Sequence, residues 1–415
     1  MGLVNPLIAV VVAIGFLVVL LYKRVNLGIA LNATALFLGL LALDLGMIIP
    51  VIITTTSDLL TISVCAATFG IMLLSELYRE TGMIKQLSRS ISGLINNPKT
   101  VLCILPAIIG LLPVGGGALM SAPLVDSEAD RLKMTSTKKA YANLWFRHTI
   151  FPVYPLSPVI IATALLTQVS ITSIIVRQIP VVIVMVIVGY IISFRKVATW
   201  KREETYSQAQ RNSDLKEFLI SFFPILTTIV IAITLVLTGT SSLLGGFELA
   251  IAILIGLAIF VAITRLHISV FVRPFRSWGI WGIAAAAYGA FLLRNVMTTA
   301  GISQVFSSVV ANGSVDIVLF IIICPAALGF LTGSPQGGVA VSVSILSALL
   351  PLPFTVKVAG LVFMSAYLGY IIAPTHLCFT FTAAYFKCSL GKMYKYVLPS
   401  FLLTFPVALL VYFLW

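Results

Sequence analysis

Four basic side chains lie within or beside strongly apolar segments of the sequence. Arg147 and His148 are adjacent in one segment, Arg294 lies toward the end of another, and His376 follows a Pro-Thr pair in a third. Ionisable groups are costly at membrane depth, so such residues are functional candidates by default. An arginine can bind an anion through paired N–H groups, and an imidazole can carry a proton near neutral pH. The alternative roles are an arginine whose head group reaches the interface and a histidine hydrogen-bonded in the core.

Glycine and proline interrupt the apolar sequence at four places that would position these side chains. Residues 106–123 read PAIIGLLPVGGGALMSAP, and residues 325–338 read PAALGFLTGSPQGG. Residues 151–158 read FPVYPLSP, and residues 372–377 read IAPTHL. Irregular backbone persists at membrane depth only where protein buries it or where it lines a polar cavity. We therefore predict two re-entrant hairpins and two broken helices that form a cradle, although glycine and proline also serve simple helix packing.

The chemistry of such a cradle depends on the sign of the charges around it. The N-termini of broken helices direct N–H groups at anions, and their C-termini direct carbonyls at cations. The carboxylates that could serve at depth fall near predicted span ends, so the balance favours an anionic substrate. Neutral hydrogen bonds are expected from these side chains: Ser121, Ser157, Thr332, Ser334, Gln336 and Thr375.

Composition places the chain in a membrane. It has 415 residues, of which 60% are hydrophobic and 9% charged, with a mean hydropathy of +1.12, so a water-soluble domain is excluded. The net charge of +13 falls in short loops, where it favours contact with anionic lipid rather than nucleic acid. The five cysteines lack metal-ligand spacing, so we expect small buried side chains, no metal and no other cofactor.

Apolar runs of about twenty residues predict an all-α polytopic membrane protein with five spans in each half. The halves are residues 1–194 and 218–415, joined by a cytoplasmic linker at 195–217. We expect hairpins at about 100–125 and 317–350 and broken helices at about 141–166 and 356–386. The other spans are predicted near Pro6–Tyr22, Leu27–Leu43, Leu59–Tyr78, Ile174–Phe194, Phe218–Leu237, Glu248–Thr264, Trp278–Met297 and Tyr396–Trp415, with Leu45–Thr56 as an extension or an interfacial piece.

The two halves share a set of glycine and proline positions at a constant offset of 219 residues. The offset superposes the following pairs: Gly70 and Gly289, Gly82 and Gly301, Pro106 and Pro325, Gly110 and Gly329, Pro155 and Pro374, and Pro180 and Pro399. If each hairpin leaves on the side it entered, 22 of the 26 basic residues collect on one face. Positive loops stay in the cytoplasm, so both termini are predicted outside. Five spans is an odd number, so the second half is predicted to be inverted relative to the first.

This arrangement resembles the ion-transporter superfamily, which includes gluconate permeases, citrate carriers, sodium-coupled dicarboxylate symporters and some cation antiporters. The sequences LLPVGGGALMSAPLV at 111–125 and TGSPQGG at 332–338 most resemble a branch of prokaryotic membrane proteins of unassigned function near the gluconate permeases. The resemblance implies a homodimer of scaffold and transport domains with an elevator-like motion. It also implies substrate contacts at the hairpin tips and at the breaks: Gly115, Gly116, Gly117, Ser334, Gln336, Gly337, Gly338, Pro155, Ser157, Thr375 and His376. The Ser-Asn-Thr tip of the sodium-coupled symporters is absent, which leaves sodium coupling without a motif.

The sequence therefore predicts a secondary active transporter of a small organic anion, a carboxylate or sugar acid, in the cytoplasmic membrane. Arg147, His148 and Arg294 are candidates for anion binding or proton coupling, with H⁺ favoured over Na⁺. A cation/proton antiporter is one alternative, and it needs an acid such as Asp58 or Glu76 deep in the core. An intramembrane enzyme acting on lipid phosphates is another, although we expect no enzymatic activity.

Overall fold

The computed structural model describes residues 6–23, 25–95, 97–112, 117–197, 208–238, 247–301, 316–347 and 349–415. Within these ranges the chain is helical and contains no β-strand. The α-helices are α1 Pro6–Tyr22, α2 Leu27–Ala42, α3 Leu45–Ser57, α4 Leu59–Glu80, α5 Met83–Leu94, α6 Pro98–Gly110, α7 Gly117–Arg131, α8 Ser136–Thr149, α9 Pro158–Thr167, α10 Ile171–Phe194, α11 Gln208–Leu237, α12 Glu248–Thr264, α13 Ile268–Val272, α14 Trp278–Thr299, α15 Ile317–Thr332, α16 Pro335–Leu346, α17 Val356–Ile371, α18 Leu377–Tyr385 and α19 Leu390–Leu414.

The long apolar helices are those of a multi-pass membrane protein. In the described ranges, six segments are long and apolar enough to cross a bilayer: Leu59–Glu80, Ser136–Thr167, Ile171–Phe194, Gln210–Leu235, Trp278–Thr299 and Leu390–Leu414. The shorter apolar helices include α1, α2 and α12, which have 16 or 17 residues each and are therefore about 25 Å long. These helices lie at the lower limit for a crossing. The all-helical membrane fold predicted from composition is thus confirmed at this level.

Helix ends recur at the 219-residue offset. Helices α4, α6, α9 and α10 begin at residues 59, 98, 158 and 171, and α14, α15, α18 and α19 begin at residues 278, 317, 377 and 390. Polar N-cap side chains that accept backbone N–H bonds fix three of these four pairs of starts. The capping residues are Asp58 and Ser277, Asn97 and Asp316, and Ser170 and Ser389. The residue type differs in the first two pairs and is serine in both members of the third, but in all three pairs the side chain accepts a backbone N–H bond at the start of the helix.

Helix packing also follows the offset. Helix α14 packs on α2, as α4 packs on α12, and α15 packs on α17, as α6 packs on α8. Gly110 of α6 leaves no room for a Cβ, which would lie 2.5 Å from the carbonyl oxygen of Arg147. A Cβ on Gly329 of α15 would collide even more closely with the carbonyl oxygen of Ala366, the position 219 residues after Arg147. Glycine therefore brings each hairpin against the backbone of the broken helix that follows it.

Three segments differ in detail from the sequence predictions. Residues 45–57 form a separate helix, α3, which lies between Asp44 at its N-terminal end and Asp58 at its C-terminal end. Helix α5 is amphipathic, with Met83, Ile84 and Leu87 buried, and it packs against α11. Helix α11 begins at Gln208, inside the segment expected to be a linker, because residues 208–217 are mostly good helix formers.

Candidate functional site

A cavity of about 210 Å³ lies among three interrupted segments of the fold. They are the break between α8 and α9, the break between α17 and α18, and the helix pair α15–α16. Proteins bind drug-sized ligands in cavities of about 300–1,000 Å³, so this one suits a smaller ion or metabolite. Its lining residues are Arg147, His148, Phe151, Ser157, Pro158, Val159, Ile283, Gly333, Ser334, Pro335, Gln336, Tyr367, Tyr370, His376, Leu377 and Cys378.

Most of this lining comes in pairs of residues that stand 219 positions apart. The pairs are His148 and Tyr367, Phe151 and Tyr370, Ser157 and His376, Pro158 and Leu377, and Val159 and Cys378. One pair is bonded directly, since the Tyr367 hydroxyl donates to the carbonyl oxygen of His148. Equivalent positions of the two halves thus face each other across one small space.

Arg147 is the charged residue of this lining that lacks a counter-ion. It lies at the end of α8 and is 1% exposed. Its Nη2 donates to the carbonyl oxygen of Leu112 at 3.3 Å, while Nε and Nη1 have no partner among the described residues. Buried charges are normally paired because desolvation is expensive. An anion in the cavity would supply the missing partner.

Two histidines meet edge to face in the cavity. The ring centroids of His148 and His376 are 4.7 Å apart, with the planes at 88°. His148 has Nδ1 2.6 Å from the carbonyl oxygen of Leu144, which places the proton on Nδ1 and leaves Nε2 facing the Tyr370 hydroxyl at 3.2 Å. Neither ring nitrogen of His376 makes a hydrogen bond of normal geometry with a described residue. The Tyr370 ring lies 3.9 Å from the His376 ring, centroid to centroid.

Three helices begin at the cavity, although two of them begin with proline, Pro158 and Pro335, which has no backbone N–H. Ser157 precedes α9, His376 precedes α18, and Ser334 precedes α16. The Ser334 hydroxyl caps its helix by accepting from Gly337 N at 3.3 Å. The side chains of Ser157 and His376 make no capping bond, and the buried Ser157 hydroxyl has no described partner. Free helix N-termini favour anions.

The other predicted site residues fall into two groups. Gly115 and Gly116 lie outside the described residues. Gly117, Ser121, Pro155, Gly337, Gly338, Thr375 and Arg294 are described but do not line the cavity.

The described members of that second group have structural partners instead. Ser121 donates to Asn143 Oδ1 at 2.6 Å, and the Thr375 hydroxyl donates to the carbonyl oxygen of Phe330 at 3.3 Å. Gly338 packs on the backbone of Gly329. Arg294 lies on α14 with Asp58 as an electrostatic neighbour. These contacts are within the protein, and none of these residues lines the cavity.

Sequence reasoning did not single out Tyr367, Tyr370 or Cys378. Donor atoms of His148, His376 and Cys378 lie within 4.8 Å of one another, so these three residues could hold a soft metal ion. Arg147 lines the same cavity and would repel a cation there. A weak signal existed for Cys378, which stands two residues after His376, whereas the tyrosines look like ordinary helix residues.

The chain belongs to the family DUF401, described as a protein of unknown function, whose model matches residues 6–414. No curated protein gave a significant match to the sequence.

Proposed function

For this member of the DUF401 family, we propose secondary active transport of a small organic anion, a carboxylate or sugar acid, across the cytoplasmic membrane. The observation that carries the proposal is Arg147, whose guanidinium is buried against a cavity with two nitrogens lacking a described partner. A carboxylate accepts two parallel hydrogen bonds from a guanidinium, which would satisfy both nitrogens at once. Such a ligand would also meet the free N-termini of α9 and α18.

The charge of the cavity lining favours an anion over a cation. The lining contains no aspartate or glutamate among the described residues. Glu76, which an antiporter would need at depth, has its Oε2 2.5 Å from Arg79 Nη2, and Asp58 accepts from Thr61 N at 2.9 Å as a helix cap. Neither acid lines the cavity, so the cation/proton antiporter is the weaker alternative.

Alternating access would follow from the inverted repeat predicted by the charge distribution. The common helix starts and the equivalent helix packing of the two halves support a duplicated unit. In the proposed arrangement the hairpin α6–α7 enters from the cytoplasm and α15–α16 from outside, with both termini outside. Dimerisation and an elevator-like motion rest on the resemblance to the ion-transporter superfamily.

Proton coupling would use the histidine pair. His148 and His376 are too close for both to be charged in a buried site that also holds Arg147. Arrival of an anion would favour protonation of one ring, which links proton uptake to substrate binding. Na⁺ remains the alternative coupling ion. The lipid-phosphate enzyme has no specific observation in its favour.

A ligand screen tests the proposal. Purified protein is heated with gluconate, citrate, succinate, acetate, phosphate or NaCl, and ligands that bind the native state raise the apparent melting temperature. We expect stabilisation by at least one carboxylate and accumulation of that carboxylate in proteoliposomes under an imposed proton gradient. Stabilisation by cations alone, with no response to any anion, would contradict the proposed substrate class.

A further inference from the structure

A second cavity, of about 470 Å³, lies away from the one described above and has a strongly basic wall. Three separate segments supply five cationic side chains to it. They are Lys133 and Lys138 around the α7–α8 loop, Arg195 and Lys196 after α10, and Lys395 in the first turns of α19. All five belong to the loops or helix ends that the sequence assigns to the cytoplasmic face.

These five charges have no ion-pair partner among the described residues, although acids stand close by in the sequence. Lys139 is the informative contrast. Its Nζ lies 2.6 Å from both Asp126 Oδ1 and Asp130 Oδ1, so it is paired with two aspartates. The adjacent Lys138 instead donates to the backbone carbonyl of Arg195. Of the three lysines Lys133, Lys138 and Lys139, only Lys139 lies outside the cavity lining, and it is the one that Asp126 and Asp130 pair with.

Two of the lysines that line the cavity stand in a backbone conformation that is unfavourable for a residue with a side chain, as do Arg265 and Lys387 outside the cavity. Lys133 has a φ of 50° and Lys196 a φ of 58°, both in the left-handed region that glycine usually occupies after a helix. Lysine at these two positions gives up the glycine advantage and places a positive charge beside each helix C-terminus. The C-terminal dipoles offset part of that charge. They do not explain Lys395, which stands near the start of its helix.

The apolar part of the wall indicates what kind of anion would fit. Ile192 of α10 and Tyr396 and Pro399 of α19 also line the cavity, and α10 packs against α19. Directly beyond these residues, both helices expose large apolar side chains: Ile187, Ile191, Leu398 and Leu402 are 51%, 57%, 43% and 59% exposed. The basic cavity therefore continues into a surface suited to acyl chains.

We propose that this cavity binds the head group of an anionic phospholipid, whose acyl chains lie along α10 and α19. Basic pockets between membrane helices at the cytoplasmic side are known to bind phosphate head groups of this kind. The lipid phosphate would relieve the mutual repulsion of the five cations. The inference is independent of the transport proposal, since it concerns a different cavity.

Lipid-dependent stability tests the proposal on the full-length protein in detergent. We measure the apparent melting temperature with added phosphatidylglycerol, phosphatidylcholine or inorganic phosphate. The test variant carries Lys133→Gln, Lys196→Gln and Lys395→Gln. The matched control carries Lys85→Gln, Arg89→Gln and Lys392→Gln, which removes the same charge from exposed residues outside the cavity.

We expect phosphatidylglycerol to stabilise the wild type and the control. Its apparent affinity for the test variant should be lower than for the wild type by roughly tenfold or more. Phosphatidylcholine should have little effect on any of the three. Native mass spectrometry should show retained phosphatidylglycerol on the wild type and less of it on the test variant. Equal responses of test and control variants, or no preference of the wild type for the anionic lipid, would overturn the proposal. A full response to inorganic phosphate alone would also overturn it, by indicating a soluble anion.

Discussion

Replacing Arg147 by methionine should separate ligand binding from stability. Methionine keeps an unbranched apolar stem but removes the charge and the donors. The wild-type guanidinium is 1% exposed and makes one described hydrogen bond, at 3.3 Å. Because an unpaired buried charge destabilises the empty protein, we expect Arg147→Met to melt at the same temperature as the wild type or higher. The affinity of the variant for the anion should be much lower than that of the wild type.

The size of the binding loss follows from two estimates. A guanidinium and a carboxylate about 4 Å apart attract by about 4 kcal/mol at an effective dielectric constant of about 20. Two charge-assisted hydrogen bonds, at about 1.5–3 kcal/mol each, give a similar figure. Since about 1.4 kcal/mol is tenfold, the dissociation constant should rise by about 10²–10³. A ligand at 100 times the wild-type constant adds about 2.7 kcal/mol of stability, and in the variant it would add less than about 0.5 kcal/mol.

The assay is the melting temperature with and without the carboxylate found in the ligand screen. Arg177→Met is the matched control, because Arg177 is also buried, at 8% exposure, and does not line the cavity. It donates to the Val411 carbonyl oxygen at 3.0 Å and lies over the Trp415 ring. The control should keep the full ligand response. A less stable Arg147→Met protein with an unchanged ligand response would refute the reasoning, since it would make Arg147 a structural residue.

The remaining predictions concern packing and access. Gly329→Ala should destabilise the protein by about 1–3 kcal/mol in thermal or denaturant unfolding, because the new Cβ would collide with the carbonyl of Ala366. Gly15→Ala is the control, because no atom lies within 4 Å of a Cβ added there. Equal effects of the two substitutions would contradict the close contact at Gly329. Asn143→Ala should cost about 1–3 kcal/mol, because its amide bonds the carbonyl oxygen of Ala118 at 2.9 Å inside the core; an unchanged melting temperature would show that water replaces it. In a protein whose only cysteine is Cys378, a small thiol reagent should react more slowly when the stabilising carboxylate is present, and an unchanged rate would place the ligand elsewhere.

The backbone of the candidate site was predictable because glycine and proline act locally. Helix α15 ends at Thr332, Gly333 takes a φ of 58°, and α16 begins with Pro335 in its first position, as the Gly-Ser-Pro sequence indicates. The prolines at 152 and 158 likewise mark the break between α8 and α9. These features depend on one or two residues at a time, so the sequence carries them.

The side chains that share the cavity were less predictable because packing selects them. Arg147 and Arg294 look alike in the sequence, since both interrupt an apolar run. Only the packed structure shows that Arg147 lines the cavity and that Arg294 does not. Tyr370 carries no local mark of its contact with His148, which lies 222 residues earlier in the chain. Distances across the fold of this kind have no counterpart in local spacing.

The position 219 residues after Arg147 is Ala366, so the described residues that line the cavity include one guanidinium, and two of its nitrogens have no described partner. An anion bound there would be drawn toward Arg147 in the first half, whereas the matching position of the second half carries no charge. A second carboxylate would find another cation in that lining only when His148 or His376 carries a proton. While both histidines are neutral, this one-sided placement of charge therefore favours a ligand with one acidic group over a ligand with two.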